Sequence, residues 1–229
     1  MSIILNIDTA TETAYVSFAK NGTVLAEKIN AEQKDHASFL QPAIKELIAG
    51  LNIALEDIDA VAVAAGPGSY TGLRVGMATA KGLCYSLNKP LISVNSLEIL
   101  AVAAKNATSK NISENILFCP MIDARRMEVF TALYNDEIKE MVAAHALVLD
   151  ENSFAESLEA HIIYFTGNGS NKWKKICSHA NARYIIPSNA GAAMALLSDM
   201  LFSRRVFSDI FTTVPLYIKD FHSGANKNL

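Results

Sequence analysis

Apolar and polar positions change their period several times along the chain, and each change marks an element. Residues 3–7 form a short apolar run that ends in the polar turn Asp8, Thr9, Ala10, Thr11 and Glu12, and residues 14–19 and 23–29 follow as two further strand-length segments. Asn21-Gly22, between the second and third, is the signature of a tight hairpin. The chain is therefore predicted to open as an antiparallel meander. From residue 36 to 51 the period becomes helical: at about 100° per residue, Phe39, Ala43, His36, Leu47, Leu40, Leu51, Ile44 and Ile48 cover close to half the circumference. That arc is wider than packing on one sheet needs. Pro42 is tolerated if the helix begins only a few residues earlier.

Residues 60–65 are a second kind of apolar run, which meets a glycine-rich turn of Gly66, Pro67, Gly68 and Ser69. The chain then enters, through Thr71 and Gly72, a small-residue helical pattern that lasts to Leu87. This predicts a buried strand, a tight turn and a helix. The two glycines flank a proline of fixed φ, so the backbone there needs conformations that a side chain would obstruct. Ser69 or Thr71 then caps the helix. Such a helix start favours an anion, but the familiar phosphate loops do not fit. Residues 77–82 supply no Lys followed by Ser or Thr for a Walker loop. Gly66, Gly68 and Gly72 have one residue too many for a dinucleotide fingerprint, and the next strand, 91–94, ends in Asn95 and Ser96 rather than an acid. The turn reads as structural in preference to a phosphate cradle.

On a helical wheel Leu83, Gly76, Leu87, Ala80, Leu73, Cys84 and Met77 fill one arc of the helix, and Val75, Ala78 and Gly82 fill a second. Two small-residue arcs suggest burial on two sides, by a partner or by a single surrounding core.

Three antiparallel strands, a helix, a strand, a helix and a strand is the order of a ribonuclease-H-like lobe, an α/β arrangement of a mixed sheet with helices on its faces. A helix over 96–105 follows, then a polar stretch over 106–114 that reads as a lobe boundary. The second half restarts in the same style. Strands are predicted at 116–122, 126–134 and 138–148, helices at 151–160, 170–179 and 190–205, and strands at 162–166 and 183–186. Ile7-Asp8 and Ile122-Asp123 occupy the same place in the two halves, which hints at duplication. The expected organisation is a first lobe of residues 1–105, a reduced second lobe of 106–221 and a polar, disordered tail of 222–229.

The net charge of −3 in 229 residues announces no basic field for nucleic acid, and 51% hydrophobic against 19% charged residues leaves apolar surface for a partner to cover. Cys84, Cys119 and Cys177 have no metal or redox spacing and read as core residues in a reducing compartment. With no apolar run of membrane-spanning length and no basic leader, the expected location is the cytoplasm, away from membranes.

The search for chemistry yields no catalytic set and no metal site. His36, His145, His161, His179 and His222 include no pair at zinc-helix spacing, and Ser69 fails the nucleophile-elbow register. Asp8 and Asp123 end strands, where duplicated nucleotide-hydrolysing folds place carboxylates; an Asx turn at each is the simpler reading. Asp123, Arg125, Arg126 and Glu128 are placed to form a local ion network.

Three blocks, ILNIDTAT (4–11), AGPGSYTGLRVGMATAKGL (65–83) and IDARRMEVF (122–130), together with the segment from His36 to Pro42, resemble the TsaB family, also called YeaZ. Tyr70 stands where phenylalanine is usual and Met127 where glycine is. The resemblance implies a two-lobed actin-like (ASKHA) fold with a reduced second lobe. It also implies a non-catalytic role: TsaB-like chains pair with TsaD, which carries a histidine metal motif absent here and transfers the threonylcarbamoyl group to the adenosine beside the anticodon of tRNA. A TsaE ATPase is the third partner, tRNA is reached only through the complex, and ATP or ADP would sit at the pair interface. The pairing face is expected on first-lobe helices, at His36, Phe39, Leu40, Ala43, Leu47, Gly72, Arg74, Val75, Gly76, Met77 and Ala80, with a homodimer through the same surface when the partner is missing. On this expectation a bulky residue at Gly76 or Ala80 weakens pairing and leaves the monomer folded. The alternatives are an ATP-dependent phosphotransferase using Asp8 and Asp123, more weakly a peptidase, and a regulatory module that binds ATP or ADP without turnover.

Overall fold

The computed structural model describes residues 1–32, 35–108, 115–187 and 190–219. β1 (Ile3–Asp8), β2 (Ala14–Lys20) and β3 (Thr23–Asn30) form the opening meander, with β1 antiparallel to β2 and β2 to β3. Asn21 and Gly22 adopt φ of 49° and 75°, the left-handed pair that a two-residue hairpin with strand-matched twist requires. α1 (His36–Leu51) leads through a short 3-10 turn to β4 (Ala60–Gly66), α2 (Tyr70–Leu87), β5 (Leu91–Asn95) and α3 (Ser96–Ala107). The second half contains β6 (Ile116–Asp123), β7 (Glu128–Tyr134), β8 (Glu140–Val148), α4 (Ala155–Ala160), β9 (Ile162–Thr166), α5 (Ser170–Trp173), β10 (Ala182–Ile185) and α6 (Ala190–Ser203).

The first sheet has the order β3-β2-β1-β4-β5 and the second, read from its other edge, β8-β7-β6-β9-β10. Each is a meander extended by two parallel strands, so the two halves share one topology. They differ in their helices. Where the first half has α1 of 16 residues and α2 of 18, the second has α4 of 6 and α5 of 4.

Both faces of the first sheet are covered, which is why β4 reads as an unbroken apolar run and β1 as one interrupted only by the buried Asn6 before its closing Asp8. Leu5, Ile7, Val61 and Val63 point to one face, where Leu40, Ala43, Ile44 and Leu47 of α1 and Met77, Ala80 and Cys84 of α2 pack on them. Ile4, Ala60, Ala62, Ala64, Ile92 and Val94 point to the other, under Ile99 and Ala103 of α3 and Ala193, Met194 and Leu197 of α6. The helix that follows the second sheet thus closes the core of the first. In turn α3 presents Leu97, Ala101 and Ala104 to Phe118, Ile122 and Ala132 of the second sheet, whose opposite face holds Phe165 and Trp173. The tail expected over residues 222–229, and most of the polar stretch over 106–114, lie outside the described residues. Among the described residues no helix is long and apolar enough to cross a membrane.

Candidate functional site

The glycine-rich block and the loop after β1 are built against each other. Thr9 donates its hydroxyl to the carbonyl of Gly72 at 2.7 Å, and the Ser69 N–H donates to the Ala10 carbonyl at 2.7 Å. A Cβ at Gly68 would lie 2.3 Å from the Ala10 oxygen, one at Gly72 2.0 Å from the Thr9 oxygen, and one at Gly76 2.4 Å from Thr9 Oγ1. The glycines therefore form a groove along the start of α2 that the chain's own Thr9-Ala10 segment fills. Gly66, at φ +108° and followed by a cis bond to Pro67, has the Leu216 carbonyl oxygen 2.8 Å from where its Cβ would be. Ser69 Oγ accepts the Gly72 N–H at 3.3 Å and caps α2.

Asp8 ends β1 with one carboxylate oxygen on the Ala10 N–H at 2.9 Å, an Asx turn. Burial pushes its carboxyl above the usual range, against the opposing influence of that N–H and of His36. His36 is buried and its Nε2 meets the Thr11 carbonyl at 2.9 Å, so α1 is tied at its first residue to the same loop. Asp123 ends β6 and is engaged from three sides. Lys172 of α5 pairs with it at 2.7 Å, the Arg125 N–H donates to it at 2.6 Å, and its own N–H donates to Asn168 Oδ1 at 2.9 Å. The Asn168 amide also donates to the carboxylate of Glu12, which joins the loop after β9 to the loop after β1. The expected local network of Asp123, Arg125, Arg126 and Glu128 does not form. Arg125 and Arg126 take left-handed backbone at φ 71° and 48°, and Glu128 pairs instead with Lys219 at 2.5 Å.

The pairing face expected from the sequence divides in two. His36, Leu40, Ala43, Leu47, Gly72, Gly76, Met77 and Ala80 are buried in the first lobe's own interior, because they belong to the arcs of α1 and α2 that cover the sheet. A Cβ at Gly76 would already lie 2.4 Å from Thr9 Oγ1, and Ala80 is fully buried, so a bulky residue at either position presses on the lobe's own interior. Arg74 is exposed, and Phe39 and Val75 are half-buried at the surface. The second small-residue arc of α2 faces out: Ala78 and Gly82 are exposed, and nothing lies within 4 Å of a Cβ built on Gly82.

Sequence reasoning missed Glu12, Asn168 and Lys172, and it missed the return of the C-terminal segment to α2. There Arg74 donates Nε–H to the Tyr217 hydroxyl at 3.0 Å and lies 4.0 Å from the Tyr70 ring centroid. Pro215, Leu216 and Tyr217 were the available signal, an apolar cluster after the last helix. Elsewhere, burial pushes the Cys84 and Cys119 thiols up to about 11 and about 12, so neither is a ready nucleophile. A cavity of about 510 Å³ bounded by Ser2, Asn21, Asp59, Asp199 and Arg205 opens at the start of β1, the opposite end of that strand from Asp8.

A family model described as TsaD, tRNA N6-adenosine threonylcarbamoyltransferase, matches residues 23–222. The tRNA threonylcarbamoyladenosine biosynthesis protein TsaB of Bacillus subtilis is 39% identical over 131 residues, which is 57% of this chain and 54% of that protein. The match thus spans about half the length of that curated relative. Among solved structures, YeaZ from Pseudomonas aeruginosa superposes with a TM-score of 0.74 at 23% identity, over 95% of this chain and 100% of the other. Lmo2764, a putative N-acetylmannosamine kinase from Listeria monocytogenes, superposes with a TM-score of 0.51 at 10% identity over 89% of this chain and 99% of its own. These two show the fold alone: mixed α/β with two five-stranded sheets.

Proposed function

The chain belongs to the TsaD family and, within it, to the TsaB (YeaZ) group, and from this we propose that it is a non-catalytic partner subunit in the synthesis of threonylcarbamoyladenosine in tRNA. It pairs with a TsaD-type transferase and supports transfer of the threonylcarbamoyl group to the adenosine beside the anticodon. A TsaE-type ATPase is the third component, and tRNA is reached through the complex. The observation that supports the non-catalytic part is how the two strand-end carboxylates and their loops are already engaged within the chain. Lys172 neutralises Asp123, and the Glu12–Asn168 contact joins the loops that a phosphotransferase would hold open for nucleotide. Asp8 has its Ala10 N–H, and the glycine groove is filled by Thr9 and Ala10.

The test mixes the full chain with the TsaD-type chain of the same organism and follows mass by light scattering after size exclusion, alongside threonylcarbamoyladenosine formation on tRNA. A one-to-one heterodimer is expected, with product formed only when both chains are present. The chain alone is expected to turn over no ATP. Turnover that an Asp8→Ala variant abolishes would establish the phosphotransferase reading in its place.

A further inference from the structure

The cavity at the start of β1 is walled by separate segments of the chain, and hydrogen bonds fix each of them. The Ser2 N–H donates to Asn21 Oδ1 at 2.9 Å, and the Ser2 hydroxyl donates to Asp199 Oδ1 at 2.5 Å. The Ile3 N–H donates to Asp59 Oδ2 at 2.7 Å, and the Asp59 N–H returns to the Ile3 carbonyl at 2.7 Å. Two carboxylates are thus fastened to adjacent residues of one strand end, each by one oxygen. Among the described residues the other oxygens, Asp59 Oδ1 and Asp199 Oδ2, accept no hydrogen bond. The rest of the lining is aromatic and basic. Phe202 of α6 and Phe207 beyond it lie 5.8 Å apart between ring centroids, next to Pro90, and Arg205 stands exposed in the turn between them. Ser208 then begins a C-terminal strap over residues 208–219. Its N–H donates to the Leu91 carbonyl at 2.8 Å, which holds the turn carrying Arg205 and Phe207 against β5.

Charge in this cavity is not balanced from within the chain. Among the described residues the ion pairs are Lys28–Glu46, Lys172–Asp123 and Lys219–Glu128, and none includes Asp59, Asp199 or Arg205. Both aspartates are half-buried, so a cation that reaches them is attracted more strongly than at an open surface. The volume of about 510 Å³ is that of a small-molecule site, typically about 300–1,000 Å³. We propose that the cavity binds a free α-amino acid with an apolar side chain. Its ammonium group lies between Asp59 and Asp199, its carboxylate pairs with Arg205, and its side chain rests on Phe202, Phe207 and Pro90. Each part of such a ligand answers a group that the cavity leaves uncompensated. A carboxylic acid without the amine meets two carboxylates, and an amine without the acid leaves the guanidinium unpaired. A metal ion is a poorer occupant, because no three His, Cys, Asp or Glu side chains converge among the described residues. The site is separate from the strand ends at Asp8 and Asp123. It opens at the N-terminal edge of the parallel strands β1, β4 and β5, whereas ligands of open α/β sheets bind outside the C-terminal edge. With Asp59 at the entrance to β4 and Asp199 and Phe202 on α6, a bound molecule bridges the two halves of the chain and stabilises their junction.

The experiment titrates the full chain by calorimetry with L-phenylalanine, with phenethylamine, which lacks the carboxylate, and with 3-phenylpropionate, which lacks the ammonium group. L-Phenylalanine is expected to bind saturably at one site and to raise the urea midpoint. Each analogue loses one charged contact and should bind at least about tenfold more weakly. Two variants assign the groups. Asp199→Asn keeps an oxygen for the Ser2 hydroxyl and should weaken L-phenylalanine and phenethylamine alike, by at least about tenfold. Arg205→Gln, at an exposed position, should bring L-phenylalanine down to the affinity of phenethylamine and leave phenethylamine itself unaltered. Urea midpoints without ligand should match the wild type in both variants; the three ligands on the wild-type chain decide the question if either variant fails to fold. Phenethylamine binding as tightly as L-phenylalanine, or L-phenylalanine binding that Arg205→Gln leaves unchanged, would overturn the amino-acid assignment. Absence of saturable binding by all three compounds would overturn the site.

Discussion

Asp8 carries the clearest conflict between position and charge. Its carboxylate closes the turn after β1, yet burial raises its pKa, and the Ala10 N–H and His36 offset this only in part. The sign follows from linkage: the folded protein holds this proton to higher pH than the unfolded chain does. Stability from this group is therefore full below the ordinary value of 3.8 and lost as pH rises through the folded pKa, so that ionised Asp8 is a cost at neutral pH. Asn at this position keeps an oxygen to accept the Ala10 N–H and carries no charge. Asp8→Asn should raise the urea midpoint at neutral pH, with the difference vanishing below the ordinary carboxylate range. A variant less stable than wild type at neutral pH would mean that the charge on Asp8 is needed for the fold.

At the scale of elements, α2 shows how one helix reads differently on its two sides. Gly76 and Gly82 are both glycines in the middle of a helix, and helix propensity alone makes alanine better at either by about 0.5–1 kcal/mol. The inward one has no room: its Cβ would sit 2.4 Å from Thr9 Oγ1, and Thr9 cannot turn away without losing its bond to Gly72. The outward one meets nothing within 4 Å. Gly82→Ala should therefore stabilise by about 0.5–1 kcal/mol, while Gly76→Ala should destabilise by about 1–3 kcal/mol through overpacking, both read from chemical unfolding. The wheel pattern separated the two arcs but could not say which of them faced the sheet, because small residues suit a tight internal approach and an open surface alike. Where periodicity is strong, the sequence located elements closely: α1 spans His36–Leu51 as its apolar spacing predicts. It overran in the second half. The helix predicted over 170–179 stops at Trp173: Trp173 is fully buried in the core, whereas Ile176, one turn on, stays 38% exposed. That over 151–160 begins at Ala155, because Asp150 and Ser153 close a turn of their own and Phe154, at φ +60°, swings onto Trp173. Strand ends Asp8 and Asp123 were legible as turn carboxylates. Their partners Lys172, Asn168 and Glu12 were not, since contacts between residues far apart in sequence leave no local pattern.

For the whole molecule, equal sheet orders and unequal helices have a structural consequence. With α4 and α5 reduced to 6 and 4 residues, the second half has little of its own to lay on a sheet, and its one long helix, α6, covers the first sheet instead. In exchange α3 covers the second, and the strap returns from α6 to β4, β5 and α2. We propose that the boundary near residue 105 marks where the second sheet begins in the chain, and that it does not separate independently folding units. A fragment of residues 1–105 would leave Ile4, Ala62, Ala64, Ile92 and Val94 without α6, and Leu97, Ala101 and Ala104 without the second sheet. Uncovered apolar surface on both sides of α3 removes a large share of the burial that offsets chain entropy in so small a unit. Expressed alone, the fragment should lack a cooperative urea transition; adding residues 106–221 as a separate chain should restore one. Cooperative unfolding of the fragment by itself would mean that α1 and α2 suffice to hold the first sheet, and that α6 and the strap bind to a lobe already formed.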